Sequence, residues 1–196
     1  RFWRGRRIGL MVTKSETTAV VTQLKAAEVS RPSFKRWFRH FMYMPAAKRY
    51  FSKQDQYAIA HAVEQAEQGH IGEIQVVIEG HIPAHQAYYQ NVRGRAEQLF
   101  AELGVWDTEL NSGVLLYLNL CERKVEIVID RGIKQATQQR VWDSICLIMV
   151  EQMKQQQYCQ AMVQGVFEIG KVLAEFYQHS VPDQKNELSN APIILK

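Results

Sequence analysis

No stretch of this sequence approaches the roughly 18 to 20 consecutive apolar residues that a membrane-spanning helix needs, so no helical span is expected. Cysteine is scarce. Cys121, Cys146 and Cys159 are odd in number and lack a CxxC spacing, which argues against both a disulfide framework and a zinc cluster and leaves three small buried or half-buried thiols as the expectation. The signatures of several enzyme classes are missing as well: there is no P-loop, no GxGxxG, no GxSxG and no HExxH. EF-hand spacing, internal repeats and low-complexity blocks are also absent.

What is present suffices for one core. A chain of 196 residues with 46% hydrophobic composition can form a single domain with extensions. Near the N-terminus, Arg6-Arg7 precedes Ile8 to Val12, but polar residues from Thr13 to Thr18 follow at once, too soon for a targeting segment, and a cytoplasmic location is expected.

The net charge of +4 hides an asymmetry. Residues 1–53 hold 13 lysines and arginines against Glu16 and Glu28, a net charge of +11, whereas the remaining 143 residues hold 11 against 18, a net charge of −7. Such a basic arm could meet anionic lipid or nucleic acid, or it could lie on the acidic body of its own chain or be a solvated tail; the structural reading is the expectation. No nucleic-acid partner is expected.

Residues 105–133, VWDTELNSGVLLYLNLCERKVEIVIDRGI, read as two long strands with polar groups at one end. Val114 to Leu118 is an unbroken apolar run, as in a strand covered on both faces. Val125, Ile127 and Ile129 then alternate along a second strand, and the segment from Asn119 to Lys124 joins the two as an antiparallel hairpin. Ile74 to Ile78 is a further β-branched strand, and the helical pattern from Ala84 to Leu103 follows it. Strand, helix and strand make a βαβ unit, so 74–78 should run parallel to 114–118.

The flanks read as helices. Ser15 to Val29 has an apolar side before Pro32, and Ser33 opens a segment in which Phe34, Trp37, Phe38 and Phe41 recur at helical spacing among Lys35, Arg36 and Arg39. That stripe suits either an interfacial membrane helix or packing against the domain; packing is the expectation, because the helix is only about three turns long. Ser52 caps a helix to about Gln68, stopped by Gly69, and two more helices carry Trp142 to Met153 and Tyr158 to Phe176. The Met and aromatic residues of these last two read as core. Residues from His179 onward form a polar tail in which Pro192 to Leu195 is a docking segment.

This topology has a chemical consequence. The hairpin brings Asp107, Glu109, Asn111 and Ser112 toward Asp130 and Arg131, and parallel pairing adds Glu73, with His70 close by. Hard oxygen ligands without a thiolate or a histidine pair suit calcium or magnesium rather than zinc or copper. Asp, Asn and Ser also favour strand ends and turns for backbone hydrogen bonding alone.

The same hairpin, together with HIGEIQVVIEG at 70–80, Leu99-Phe100, VWDT at 105–108, VEIVIDRGI at 125–133, Trp142 and NELSNAPIIL at 186–195, resembles the TPM domain. This family is named for plant thylakoid-lumen and photosystem II repair proteins, and the likeness is greatest to its short, stand-alone bacterial members. It runs over about residues 34–196 and departs from the family pattern at Ser112, where Asn-Asn-Gly is usual, and at Ser189, where Asn-Glu-Leu-Pro has its proline. The resemblance implies an α/β fold, a three-layer-like sandwich of about four mixed strands flanked by helices. It also implies divalent-cation binding and an acid phosphatase activity. The export signals and membrane anchor of longer members are not expected here, and residues 1–33 have no counterpart.

The sequence thus leads to a basic arm at 1–33, a TPM domain at 34–180 and a tail at 181–196. The domain is expected to bind a divalent cation, calcium before magnesium, through Glu73, Asn111 and Asp130, with Asp107, Glu109 and Ser112 as further donors, and to act as a binding or assembly module for a protein partner. The alternatives are a metal-assisted phosphatase with Arg131 as the phosphate contact, and a module that meets an anionic membrane surface through residues 1–41.

Overall fold

The computed structural model describes residues 18–19, 31–43, 49–134, 137–177 and 186–195. Apolar, β-branched residues make the two central strands, β2 (Glu73–Glu79) and β3 (Gly113–Asn119), in which every residue is buried because both faces are covered. The two run parallel in a register from Glu73 opposite Gly113 to Glu79 opposite Asn119. β4 (Lys124–Ile129) returns antiparallel to β3. A three-residue strand β5 (Ile193–Leu195) pairs with β2, a two-residue strand β1 (Thr18–Ala19) pairs with β4, and the sheet order is β1-β4-β3-β2-β5. The expected mixed sheet of about four strands is present, with β1 as a short additional edge pairing.

Alternation along the strands sorts their side chains into two cores. On one face Ile74, Val76, Leu116 and Ile127 pack against α2 (Lys53–Ala66), α6 (Gln139–Lys154) and α7 (Tyr158–Phe176). On the other, Val77, Leu115, Tyr117 and Val128 meet Ala96, Leu99 and Phe100 of α4 (Val92–Glu102). Helix, sheet and helix give the three layers. α2 begins where the sequence places it, with Ser52 and Asp55 exchanging hydrogen bonds as a capping box.

Three expectations change. The helix read over Ala84 to Leu103 divides into α3 (Ala84–Tyr89) and α4, because Asn91 is extended and its side chain accepts the Gly94 N–H at 2.8 Å, capping a new helix. Within the helix read over Ser15 to Val29, Thr18 and Ala19 are instead β1, taking up the edge groups of β4; the rest of that segment, and residues 1–14, lie outside the described residues. One expectation at the C-terminus holds: the segment read as docking joins the sheet as β5 beside β2.

The third change concerns α1 (Phe34–Met42). This helix packs by its polar side, with its aromatic side outward. His40 is fully buried and its Nδ1 accepts the Ile82 N–H at 3.1 Å. The Arg36 guanidinium donates to the Ala87 and Tyr88 carbonyls, 2.5 and 2.9 Å away, near the end of α3, where helical carbonyls lack their own donors. Specific polar partners therefore decide the orientation, and Phe34, Phe38 and Phe41 stand exposed. No helix among the described residues is long and apolar enough to cross a membrane. The three cysteines are free, and burial raises each thiol, Cys121 to about 12 and Cys159 to about 11, so none is primed as a thiolate.

Candidate functional site

The rim lies at the end of the sheet where β2 and β3 begin and β4 leaves. Parallel pairing sets Glu73 opposite Gly113, the Glu73 N–H donates to the Ser112 carbonyl at 3.3 Å, and the Asp130 N–H donates to the Gly113 carbonyl at 3.0 Å. Asn111 belongs to the same group through the backbone. It adopts a left-handed conformation, with φ of 53°, and a β-carbon at Gly132 would lie 2.7 Å from its carbonyl oxygen. Gly113 is tighter still: a β-carbon there would sit 1.9 Å from the Val105 carbonyl oxygen, so only glycine lets the loop close over the strand.

Glu73, Asn111, Ser112 and Asp130 are thus gathered as the sequence suggests. Ser112 is turned to scaffolding: its hydroxyl donates to the Ile71 carbonyl at 2.8 Å and its N–H is held by Thr108 Oγ1 at 2.9 Å. Asp107, Glu109 and Arg131 present exposed side chains, and the backbone N–H of Glu109 donates to the Glu187 carboxylate. His70 is buried beside the rim, its Nδ1 accepting the Gly72 N–H at 3.0 Å.

The electrostatics of this rim are unbalanced. Asp130 is only 4% exposed; its Oδ1 accepts the Arg131 N–H at 2.5 Å, while its Oδ2 is buried without a hydrogen-bond partner among the described residues. Burial raises its pKa above the ordinary carboxylate value, against the opposing pull of the Arg131 N–H and charge. Glu67, at the end of α2, accepts the Ile74 N–H at 2.7 Å and is pushed up to about 8 by burial, with the neighbouring Glu73 carboxylate adding to the rise. The Tyr177 hydroxyl is buried without a hydrogen-bond partner among the described residues, and burial followed by the charge of Asp130 pushes it up to about 12. Glu73 itself accepts the N–H groups of Glu187 and Leu188, at 3.4 and 3.3 Å, which ties the C-terminal segment onto the rim.

Glu67, Tyr177 and Glu187 were not found as rim residues from the sequence. Glu187 stands in the NELS motif already singled out; Glu67 and Tyr177 sit at helix ends and carry no local signal. Among the described residues, no three His, Cys, Asp or Glu side chains converge closely enough to hold a metal ion by themselves.

The opposite end of β2 holds a second set of buried polar groups with a different balance. Glu79 accepts two hydrogen bonds from Arg95, with closest approaches of 3.1 Å from Nε and 2.8 Å from Nη2, and a third from the Tyr117 hydroxyl at 2.5 Å. Asn119 donates to Tyr117 at 3.0 Å and accepts the Glu122 N–H at 2.9 Å. Each member of this network has partners.

A comparison with curated proteins finds no match. Among solved structures, the chain is similar to the NMR structure of the BA42 protein from the psychrophilic bacterium Bizionia argentinensis, with 27% identity, a TM-score of 0.63, and coverage of 73% of this chain and 94% of that one. The model of the TPM domain matches residues 46–172, a narrower stretch than the resemblance read from the sequence. With most of its length matched, the β2-to-β4 unit and the helices around it included, this chain belongs to the TPM domain family.

Proposed function

We propose that the rim binds a divalent cation, calcium in preference to magnesium, and that the domain acts as a cation-dependent binding module for a protein partner. The observation that carries this reading is the buried, unpartnered Oδ2 of Asp130. A desolvated carboxylate with one oxygen left unpartnered is unfavourable, and a bound cation offsets that cost. The raised Glu67 and the two carboxylates of Glu67 and Glu73 held near each other point the same way.

The residues that would hold the ion are Asp130, Glu73 and Asn111, with Asp107 and Glu109 on the adjoining loop adding negative charge outside them. Because the acidic groups alone are too few, neutral oxygens from Asn111, backbone carbonyls and water must complete the shell. Calcium accepts such a mixed and irregular set, whereas magnesium demands a near-ideal octahedron. Calcium titration calorimetry tests this directly: wild type should bind one ion saturably and Asp130→Asn at least about tenfold more weakly, a loss of about 1.4 kcal/mol. Equal binding by the two proteins would remove Asp130 from the site.

The metal-assisted phosphatase reading would use Arg131, exposed beside Asp130, as its phosphate contact. Phosphomonoester hydrolysis that needs the cation and disappears in Asp130→Asn would establish it.

A further inference from the structure

Helix α1 is inverted relative to an ordinary surface helix. His40 and Arg36 face the domain, while Phe34, Phe38 and Phe41, at 67, 52 and 59% exposure, face away from it together with Met42. These positions lie at i, i+4, i+7 and i+8 and form one continuous apolar side. The rings are organised, not loose: Trp37 stacks on Phe34 with centroids 5.0 Å apart and on Phe41 at 5.3 Å. Solvent exposure of so large an apolar face is unfavourable, and such a patch marks a surface that meets something else.

The chemistry beside it says what. Between α1 and the start of α4 lies a cavity of about 220 Å³ lined by Lys35, Arg36, Arg39 and Lys124, with Glu122 as its one carboxylate. Arg39 pairs with Glu122 at 2.7 Å, which leaves a positive excess at the mouth. The described stretch 31–43 carries Arg31, Lys35, Arg36 and Arg39 and no Asp or Glu. An anionic plane would attract this helix. Aromatic side chains backed by lysine and arginine are the composition that settles at the boundary between lipid headgroups and acyl chains. α1 lies ahead of residues 46–172, outside the part matched by the family model.

We propose that α1 and the adjacent cationic pocket form a docking surface for an anionic membrane: Phe34, Phe38, Phe41 and Met42 enter the interface, and Lys35 and Lys124 receive lipid phosphate. The surface is independent of the rim and stands whether or not the rim binds a cation.

The test is co-sedimentation of the full chain with vesicles of phosphatidylcholine alone and of phosphatidylcholine mixed with phosphatidylglycerol. Wild type should partition onto the mixed vesicles only, and added salt should weaken the binding. Phe38→Ser combined with Phe41→Ser should cut partitioning by at least about tenfold, since two apolar side chains no longer enter the interface. Lys35→Glu, which reverses an exposed charge, should reduce it about tenfold with an unchanged unfolding midpoint. No partitioning of wild type, or partitioning unchanged in both variants because residues 1–30 carry it, overturns the proposal. So does a dimer in solution that the double aromatic variant dissolves while vesicles go unbound, since a second copy would then cover the face.

Discussion

The two ends of β2 treat buried carboxylates in opposite ways. At its C-terminal end Glu79 is met by the Arg95 guanidinium, the Tyr117 hydroxyl and, through Tyr117, the Asn119 amide. At its N-terminal end, among the described residues, Asp130 keeps one oxygen unpartnered and the Tyr177 hydroxyl has no partner, while Glu67 is pushed up to about 8. The two ends of one sheet thus hold one closed network and one open rim. A carboxylate compensated from within the protein is structural, whereas one left without compensation is available to a ligand.

The largest effect expected from this contrast lies at the closed end. Arg95→Ala leaves the Glu79 carboxylate buried without its cation and should cost about 3 to 5 kcal/mol in denaturant unfolding. A cost below about 1 kcal/mol would mean that the closed network compensates nothing.

Next comes a pH effect at the open end. The pKa of Glu67 is higher in the folded chain, about 8, than its ordinary 4.5, so the folded state holds a proton that the unfolded state has lost between those values. Stability from this group is fully present below the ordinary value and declines as pH rises toward 8. Glu67→Gln, which keeps an acceptor for the Ile74 N–H, should flatten that decline and raise the midpoint at pH 8 by about 2 to 4 °C for each kcal/mol recovered. Calcium should flatten the wild-type profile in the same way if it occupies the rim. An unchanged profile in the variant would place the pH dependence elsewhere.

Smaller still is Asp130→Asn without added cation. The amide oxygen can keep the Arg131 N–H and an uncompensated charge is removed, so stability should change by less than about 1 kcal/mol. A cost equal to that of Arg95→Ala would erase the distinction between the two ends. Tyr177→Phe should be the quietest change, within about 0.5 kcal/mol, because the hydroxyl it removes makes no hydrogen bond among the described residues. A larger loss would reveal a partner for that hydroxyl.

Much of the fold was legible because its signals are local. The unbroken apolar run at 114–118, the alternation at 125–129 and the Ser52 cap each state a backbone conformation within a few residues, and the βαβ order then fixes the strand directions. That logic was enough to bring Glu73, Asn111 and Asp130 to one edge. It did not reach Glu67 or Tyr177, whose place at the rim depends on how α2 and α7 pack, nor Arg95 and Glu79, which read as two ordinary charges 16 residues apart. α1 teaches a sharper lesson. Its periodicity says that its two sides differ, but the choice of side was made by Arg36 on the carbonyls of α3 and by His40 under the Ile82 N–H, partners no periodicity can name.

The central claim, that the open rim is a cation site, is tested most directly by thermal unfolding of wild type and Asp130→Asn with chelator, calcium and magnesium in turn. At about 100 times its dissociation constant, an ion bound only to the folded state adds roughly 2.7 kcal/mol, on the order of 5 to 10 °C here. The account predicts that calcium raises the wild-type midpoint by that amount, magnesium by less, and neither ion that of Asp130→Asn. Equal shifts in both proteins, or none in either, would contradict it and leave Asp130 as a buried carboxylate at the end of a strand.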